Sequence, residues 1–481
     1  MTDIRATPDR GIPGSRNGPV SRTATANTDL AAWQRDLLGA EYGNMLACVR
    51  CGQCLTSCPT YVLSGNEAEG PRGRVAMMRM LQDGRIDLTP DLIKHEQNCL
   101  VCDACTAVCP AGVHMDPLQV ALRTAIAPNV PRSRPERLIR HLTFRYLFGD
   151  MRLFRAFVFL LWLYQRTGLQ ALARGLGIIK LLGMKETEAF LPAVDRPFVV
   201  PKGEVYPAER ATASVATGTS GTAATTAAAN GTTTTAPAAP DRVSFFAGCV
   251  MSTALADIDR ATIRVLQRAG CDVVNTAEQG CCGALNAHSG DLNGAKLLAR
   301  RNIAAFERDG DAPIAVNSAG CGAMLKDYAH HFRDDSAWAA RATAFSARVK
   351  DATQILDGRA LPMRRSLDAA VTYQEPCHLA HAQRITQQPR ALLKSIPGLE
   401  LREMAESSLC CGSAGVYNVT NPIESRQLQQ RKLDHAAATG APIIATANPG
   451  CLIQLQSGLT ERGDPTRVRH IVELLDEATT P

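Results

Sequence analysis

Two copies of one cysteine phrase stand in the first quarter of the chain, Cys48-x2-Cys51-x2-Cys54-x3-Cys58-Pro59 and Cys99-x2-Cys102-x2-Cys105-x3-Cys109-Pro110. Three cysteines this closely spaced can hold three irons of a cubane from one loop, and the fourth thiolate must come from elsewhere. In the two-cluster use of this run, the last cysteine of each phrase ligates the other cluster. The expected sets are therefore Cys48, Cys51, Cys54 and Cys109 for one 4Fe-4S cluster, and Cys99, Cys102, Cys105 and Cys58 for the second. Pro59 and Pro110 remove a backbone donor and fix φ where the chain leaves each loop. Structural zinc usually takes its ligands from two separated Cys or Cys/His pairs, a different pattern. The chemistry expected is electron transfer.

The second half repeats cysteines of its own. Cys249, the pair Cys281-Cys282 before Gly283, and Cys321 recur as Cys377, Cys410-Cys411 before Gly412, and Cys451, at offsets of 128, 129 and 130 residues. Two homologous units explain this most economically. Each unit offers four thiolates for a further metal or iron-sulfur site. Adjacent cysteines do not easily both point at one ion, which favours a multinuclear cluster or bridging thiolates. A redox-inert zinc site is the competing reading, because spacing alone does not tell zinc from iron. His378 and His381 beside Cys377, and His288 after the first pair, rank below the cysteines, since a lone histidine is more often simply hydrogen-bonded. Cys271 fits neither pattern and is expected to be a small buried apolar residue. Arg50, Arg72 and Arg74 lie near the early cysteines, where their charge would stabilise an anionic cluster and raise its potential.

Helices are expected to carry the first set of motifs. Val75 to Leu81 has helical apolar spacing, and Thr89-Pro90-Asp91 supplies a cap and a first-turn proline. In the second half, short apolar runs precede cysteines and amphipathic stretches such as Ile258 to Leu266 follow, which reads as β-α-β with parallel strands. The cysteines then fall just past strand ends, where open parallel sheets place ligand sites. The expected fold is α+β multidomain: an α-helical ferredoxin domain with two 4Fe-4S clusters, followed by two repeated α/β Cys-Cys-Gly units. The boundaries expected are a disordered tail at 1–34, the ferredoxin domain at 35–130, and a basic, apolar helical connector at 131–200. An Ala/Thr-rich disordered linker follows at 201–240, then the repeats at 241–360 and 361–481.

Seventeen cysteines would suit disulfides in an exported protein. The N-terminus has no charged stretch leading into an apolar run and cleavage site, so a reducing, cytoplasmic setting is expected, where clustered cysteines read as metal ligands. A net charge of +6 over 481 residues does not argue for nucleic acid. The charge is uneven, however: Pro131 to Lys185 carries eleven Arg or Lys against two acids around the apolar stretch Phe154 to Tyr164. That stretch is too short to span a bilayer, which needs about 20 apolar residues. It suits an anionic membrane surface or a partner subunit, or a helix of the protein's own core with snorkelling arginines.

Four segments resemble the iron-sulfur subunit of bacterial glycolate oxidase, also called glycolate dehydrogenase: Cys58-Pro59-Thr60-Tyr61; Gly70-Pro71-Arg72-Gly73-Arg74; Ser318-Ala319-Gly320-Cys321-Gly322-Ala323 with Lys326-Asp327-Tyr328; and Cys410-Cys411-Gly412-Ser413-Ala414-Gly415. The wider group with Cys-Cys-Gly domains includes the anaerobic glycerol-3-phosphate dehydrogenase C subunit, lactate-utilisation iron-sulfur proteins and the heterodisulfide reductase B subunit. In heterodisulfide reductase a fifth cysteine follows the last one of each repeat, whereas here those positions are Met324 and Gln454. Disulfide-reducing catalysis is therefore not expected. The resemblance implies an electron-transfer subunit taking electrons from a partner flavoprotein that converts glycolate to glyoxylate. It would pass them through two 4Fe-4S clusters to a membrane acceptor, the quinone pool. The FAD is assigned to the partner, since Gly175-Leu176-Gly177 lacks a third glycine and follows no strand. The implied location is cytoplasmic, peripheral on the inner face of the cytoplasmic membrane. The alternatives are the same role in a lactate or glycerol-3-phosphate dehydrogenase complex, or a metal-stabilised scaffold subunit.

Overall fold

The computed structural model describes residues 37–181, 188, 190–209 and 241–481. The expected N-terminal tail and the Ala/Thr-rich stretch 211–239 lie outside the described residues. The first part is helical: α1 (Pro59–Ser64), α2 (Pro71–Gln82), α3 (Pro90–Gln97), α4 (Ala104–Ala107) and α5 (Met115–Ile126). Prolines open α1, α2 and α3, where the missing N–H would have had no helical partner. At α3 the Thr89 side chain accepts from the Leu92 N–H, capping the first turn. Met78, Leu81, Leu118, Leu122 and Ile126 form a buried core between these helices, and Cys48, Cys99, Cys105 and Cys109 pack at its edge.

The connector folds as α6 (Arg134–His141), α7 (Met151–Arg166), α8 (Leu169–Gly175) and α9 (Ile178–Leu181). Asp150 caps α7 by accepting from the Arg152 N–H. Among the described residues no helix is long and apolar enough to cross a membrane.

The repeats are two open parallel sheets. The first contains β1 (Val205–Tyr206), β2 (Asp241–Phe246), β3 (Cys271–Asn275), β4 (Ile314–Val316) and β5 (Val349–Asp351), in the order β1-β3-β2-β4-β5. The second contains β6 (Ala369–Tyr373), β7 (Leu399–Arg402), β8 (Ile443–Thr446) and β9 (Arg467–His470), in the order β7-β6-β8-β9. With β1 set aside the two orders are the same, which is the topological form of the cysteine repeat. Strand β1 pairs antiparallel with β3, so the edge of the first sheet lies inside the stretch that composition assigned to the linker.

Helices cover both sheets and join them. Among them are α10 (Ala256–Arg268), α11 (Leu292–Glu307), α12 (Ala319–His331), α13 (Pro422–Ala437), α14 (Pro449–Arg462) and α15 (Ile471–Thr479). One apolar core runs from Val243 and Phe245 of the first sheet to Val371 and Tyr373 of the second, through α10 and α15. Arg264 and Arg268 of α10 both pair with Asp476 of α15, at 2.6 and 2.8 Å. Cys271 is fully buried on β3 within this core, the inert position expected for it.

Candidate metal centres

Both early phrases bend in the same way. Arg50 and Gly52, flanking Cys51, have φ of +58° and +85°; Val101 and Asp103, flanking Cys102, have φ of +50° and +57°. Left-handed backbone is rare for an ordinary residue and rarer still for a β-branched one such as Val101. Such outliers cluster at sites whose surroundings impose them, and this conformation turns successive N–H groups into an anion-binding concavity. The Val101 N–H donates to Cys99 Sγ at 3.4 Å, and the Val113 N–H to Cys109 Sγ at 3.4 Å.

The fourth cysteine of the first phrase stands with the second loop. Burial pushes the Cys54 thiol up to about 11. Cys58 lines one cavity with Cys99, Cys102 and Cys105, closed by Pro59, Thr60, Pro71, Arg74, Leu100, Asp103 and Met115. Among the described residues no three His, Cys, Asp or Glu side chains close on one point in the manner of a single-ion site. A cubane asks for something else, one thiolate on each of four separate irons around a small volume. The four cysteines lining this one cavity are the donor set that group takes.

The three arginines divide. Arg74, 1% exposed, forms part of the cavity wall. It pairs with Glu69 at 2.6 Å and donates to Thr60 Oγ1 at 3.1 Å and to the His95 carbonyl at 2.9 Å. Burial opposes its charge, but Cys99, Cys58 and Glu69 around it favour the protonated guanidinium. Arg72 is ion-paired with Glu67 at 2.8 Å and reaches the Arg50 carbonyl at 3.4 Å, while the side chain of Arg50 is exposed. Sequence reasoning missed Arg123 on α5. Its guanidinium donates to the carbonyls of Cys99 at 2.6 Å, Glu96 at 3.0 Å and His288 at 2.8 Å, tying the second loop to the first repeat. Nothing in the local pattern of α5 marks that role.

In the repeats every cysteine of the two fours lies past the carboxyl end of a parallel strand. Cys249 and Cys377 follow β2 and β6, the adjacent pairs follow β3 and β7, and Cys321 and Cys451 enter the first turns of α12 and α14. Cys249 Sγ lies 3.9 Å from Cys281 Sγ. Sulfhydryls of Cys249 and Cys282 donate toward Cys281 and hold its pKa low, and Cys410 and Cys451 do the same for Cys411. The glycines after the pairs both have φ of +87°. A Cβ at Gly283 would lie 3.2 Å from the Ala295 backbone, and one at Gly412 only 2.5 Å from the Ser425 carbonyl oxygen, so these turns need glycine twice over.

The sites are neighbours. Cys102 shares a buried cluster with Cys377, Cys410, Tyr417 and Leu428. Between the repeats, Asn448 Oδ1 accepts from the Gly320 N–H at 3.1 Å while its Nδ2 donates to Cys451 Sγ at 3.4 Å, so Asn448 bridges the approach to Cys321 and the sulfur of Cys451. Phe154 and Val158 of α7 pack over Cys249 and Cys281.

The histidines do other work. His378 Nε2 donates to the Val101 carbonyl at 2.7 Å, His381 Nε2 to the Ser408 carbonyl at 3.0 Å, and His288 lies 3.5 Å from Asp116. Burial keeps His378 and His381 below the usual histidine range. Met324 is buried in apolar core, and Gln454 is held by Ser425 and Asn418, so neither is poised as a fifth ligand.

Comparison with known proteins agrees with this geometry. Residues 44–113 match the family profile "4Fe-4S dicluster domain", residues 135–191 match "Glycolate oxidase iron-sulfur subunit, linker region", and residues 243–326 and 371–456 match "Cysteine-rich domain". The chain is 40% identical over 445 residues to the probable glycolate oxidase iron-sulfur subunit of Bacillus subtilis (strain 168), covering 91% of this chain and 94% of the relative. It is 31% identical over 439 residues to the glycolate oxidase iron-sulfur subunit of Escherichia coli (strain K12), covering 90% and 93%. Lactate utilization protein A of Exiguobacterium sp. is 32% identical over 237 residues, 49% of this chain and 97% of the relative. With two early cysteine loops, a matching connector and two cysteine-rich repeats in one order, the chain belongs to the glycolate oxidase iron-sulfur subunit family.

Proposed function

We propose that this chain is the electron-transfer subunit of a glycolate-oxidising complex, taking electrons from a partner flavoprotein and delivering them to a membrane quinone. Cys48, Cys51, Cys54 and Cys109 hold one 4Fe-4S cluster; Cys99, Cys102, Cys105 and Cys58 hold the other. The observation that carries this reading is Cys58 of the first phrase lining one cavity with Cys99, Cys102 and Cys105 of the second, between two loops of the same bend. When bound, each such cluster accepts and passes on one electron at a time. Oxidation of glycolate to glyoxylate releases two electrons and two protons, so a flavin on the partner divides the pair.

The residues give the relay a direction. Cys51 is exposed, and Tyr42, Leu46, Val49 and Val108 are exposed apolar side chains near it or Cys109 in sequence. This rim suits a protein partner, and the flavoprotein docks there. Cys102 and Cys377 connect the buried loop to the second repeat, whose four cysteines form a further centre. Arg74 offsets the negative charge gathered by Cys58 and Cys99. The α7 segment rests peripherally on the membrane that holds the quinone. Glycolate is favoured over lactate as the fuel because the glycolate oxidase relatives align over 91% and 90% of this chain and the lactate-utilisation relative over 49%.

Anaerobic purification with the co-expressed flavoprotein tests this. The expected result is about eight irons per chain from the early cysteines, with any iron of the repeats in addition, and reduction of the clusters by glycolate. Stoichiometric zinc with little iron, or clusters that only lactate or glycerol 3-phosphate reduces, would overturn it.

A further inference from the structure

The exposed apolar side chains are concentrated in one place. Of the twenty-one large hydrophobic residues exposed among the described residues, thirteen lie between Leu138 and Leu181, and eight of those thirteen are leucines. They sit on α6, the turn after it, α7, α8 and α9, which follow one another as packed neighbours. On α7 the division is regular. Phe154 and Val158 face the cysteines of the first repeat, while Leu153, Phe157 and Leu160, at i, i+4 and i+7, are 49, 49 and 63% exposed on an adjoining face.

The same stretch is basic. Eleven Arg or Lys against two acids fall between residues 131 and 185. Among the described residues, Arg137, Arg145, Arg152, Arg155 and Arg166 form no ion pair with any acid. Unpaired arginines beside exposed leucines match an anionic lipid surface on both counts, apolar burial and electrostatic attraction. A protein interface fits less well, because its strongest anchors are typically Trp, Tyr and Arg, with Leu under-represented. The chain also has a second, smaller apolar rim near Cys51 for a protein partner.

We propose that the α6–α9 connector is a lipid-docking surface that seats this subunit on anionic phospholipid, with Leu153, Phe157 and Leu160 entering the headgroup boundary. Docked this way, α7 is held between the lipid and the first repeat, and Cys249 and Cys281, which Phe154 and Val158 cover, are the cysteines nearest the bilayer. The inference rests on the reading that the electron acceptor is in the membrane, and it names the surface that reaches it.

Flotation with the full, cluster-loaded chain tests it, using vesicles of phosphatidylcholine alone and of equal parts phosphatidylcholine and phosphatidylglycerol. The chain is expected to float with the mixed vesicles, much less with phosphatidylcholine, and to come off as salt is raised. The double variant Phe157→Glu/Leu160→Glu should bind the mixed vesicles at least about tenfold more weakly. Arg152→Glu/Arg155→Glu should lose the preference for phosphatidylglycerol. The first variant changes exposed side chains and the second one exposed and one half-buried arginine, and an unchanged iron content and visible spectrum would show both folded. No binding to either vesicle, equal binding by the double variant, or loss of the flavoprotein with vesicle binding intact would each overturn the proposal. Reduction of a short-chain, water-soluble quinone separates this from failure of the functional reading. That activity should survive in both variants, whereas its absence in the unaltered complex would count against the quinone acceptor itself.

Discussion

Arg74 offers a demanding test of how the second cysteine set is built. Its guanidinium is 1% exposed, 2.6 Å from the Glu69 carboxylate, and it satisfies Thr60 and the His95 carbonyl as well. Arg74→Met removes the charge and three donors but leaves the carboxylate buried. Breaking a buried pair by removing one partner costs about 3–5 kcal/mol. Asn98 Nδ2 and His95 Nδ1 still donate to Glu69, at 3.0 and 2.6 Å, so the lower end, about 3 kcal/mol, is expected. A whole-protein melting curve mixes several domains, so the readout is amide hydrogen exchange across α2 under anaerobic conditions. The expected loss of protection is on the order of 100-fold, because each 1.4 kcal/mol is about a factor of ten. Adding Glu69→Gln removes the orphaned charge and should restore a large part of it. Exchange within a few-fold of the unaltered protein, or no recovery in the double variant, would refute the reasoning. Loss of the positive charge should also lower the reduction potential of the centre bounded by Cys58 and Cys99.

Gly412→Ala should empty or distort the second repeat's centre and destabilise it by about 3 kcal/mol, from left-handed strain and a 2.5 Å approach to Ser425. Gly175→Ala, which meets nothing within 4 Å at the end of α8, should be neutral or slightly stabilising, and the pair can be compared by metal analysis and local exchange. Glu96 is fully buried and its pKa is raised from 4.5 to about 7 by burial, so the folded state holds a proton there that the unfolded chain releases. Stability should therefore fall as pH rises from 4.5 to 7, by up to about 3 kcal/mol, and Glu96→Gln should flatten that dependence in exchange measured on α3. Cys102→Ser should abolish glycolate-driven quinone reduction while the complex still assembles, whereas unchanged turnover would favour a scaffold role.

Local signals carried much of the fold to the page. Thr89 and Pro90 start α3 because capping and first-turn geometry are properties of adjacent residues. The offset between the cysteine repeats foretold two sheets of one strand order, since homologous units fold alike. Strand β1 was hidden because two residues carry no periodicity, and only β3 gives them a place. The contacts that make a relay were hidden for a similar reason. Arg123 reaching Cys99, Cys102 beside Cys377, and Phe154 over Cys249 join residues far apart in the chain, and no spacing encodes them. The left-handed turn at Val101 was also illegible, because a β-branched residue gives no sign of positive φ, whereas Asp103 is of a type that visits that region.

The central claim is that two clusters form with their fourth ligands exchanged. Electron paramagnetic resonance of the fully reduced protein tests it through single serine substitutions. The account predicts two interacting cluster spins per chain, with Cys109→Ser altering the same component as Cys51→Ser, and Cys58→Ser the same component as Cys102→Ser. A spectrum in which Cys109→Ser groups with Cys102→Ser, or a reduced protein with no cluster signal, would contradict it.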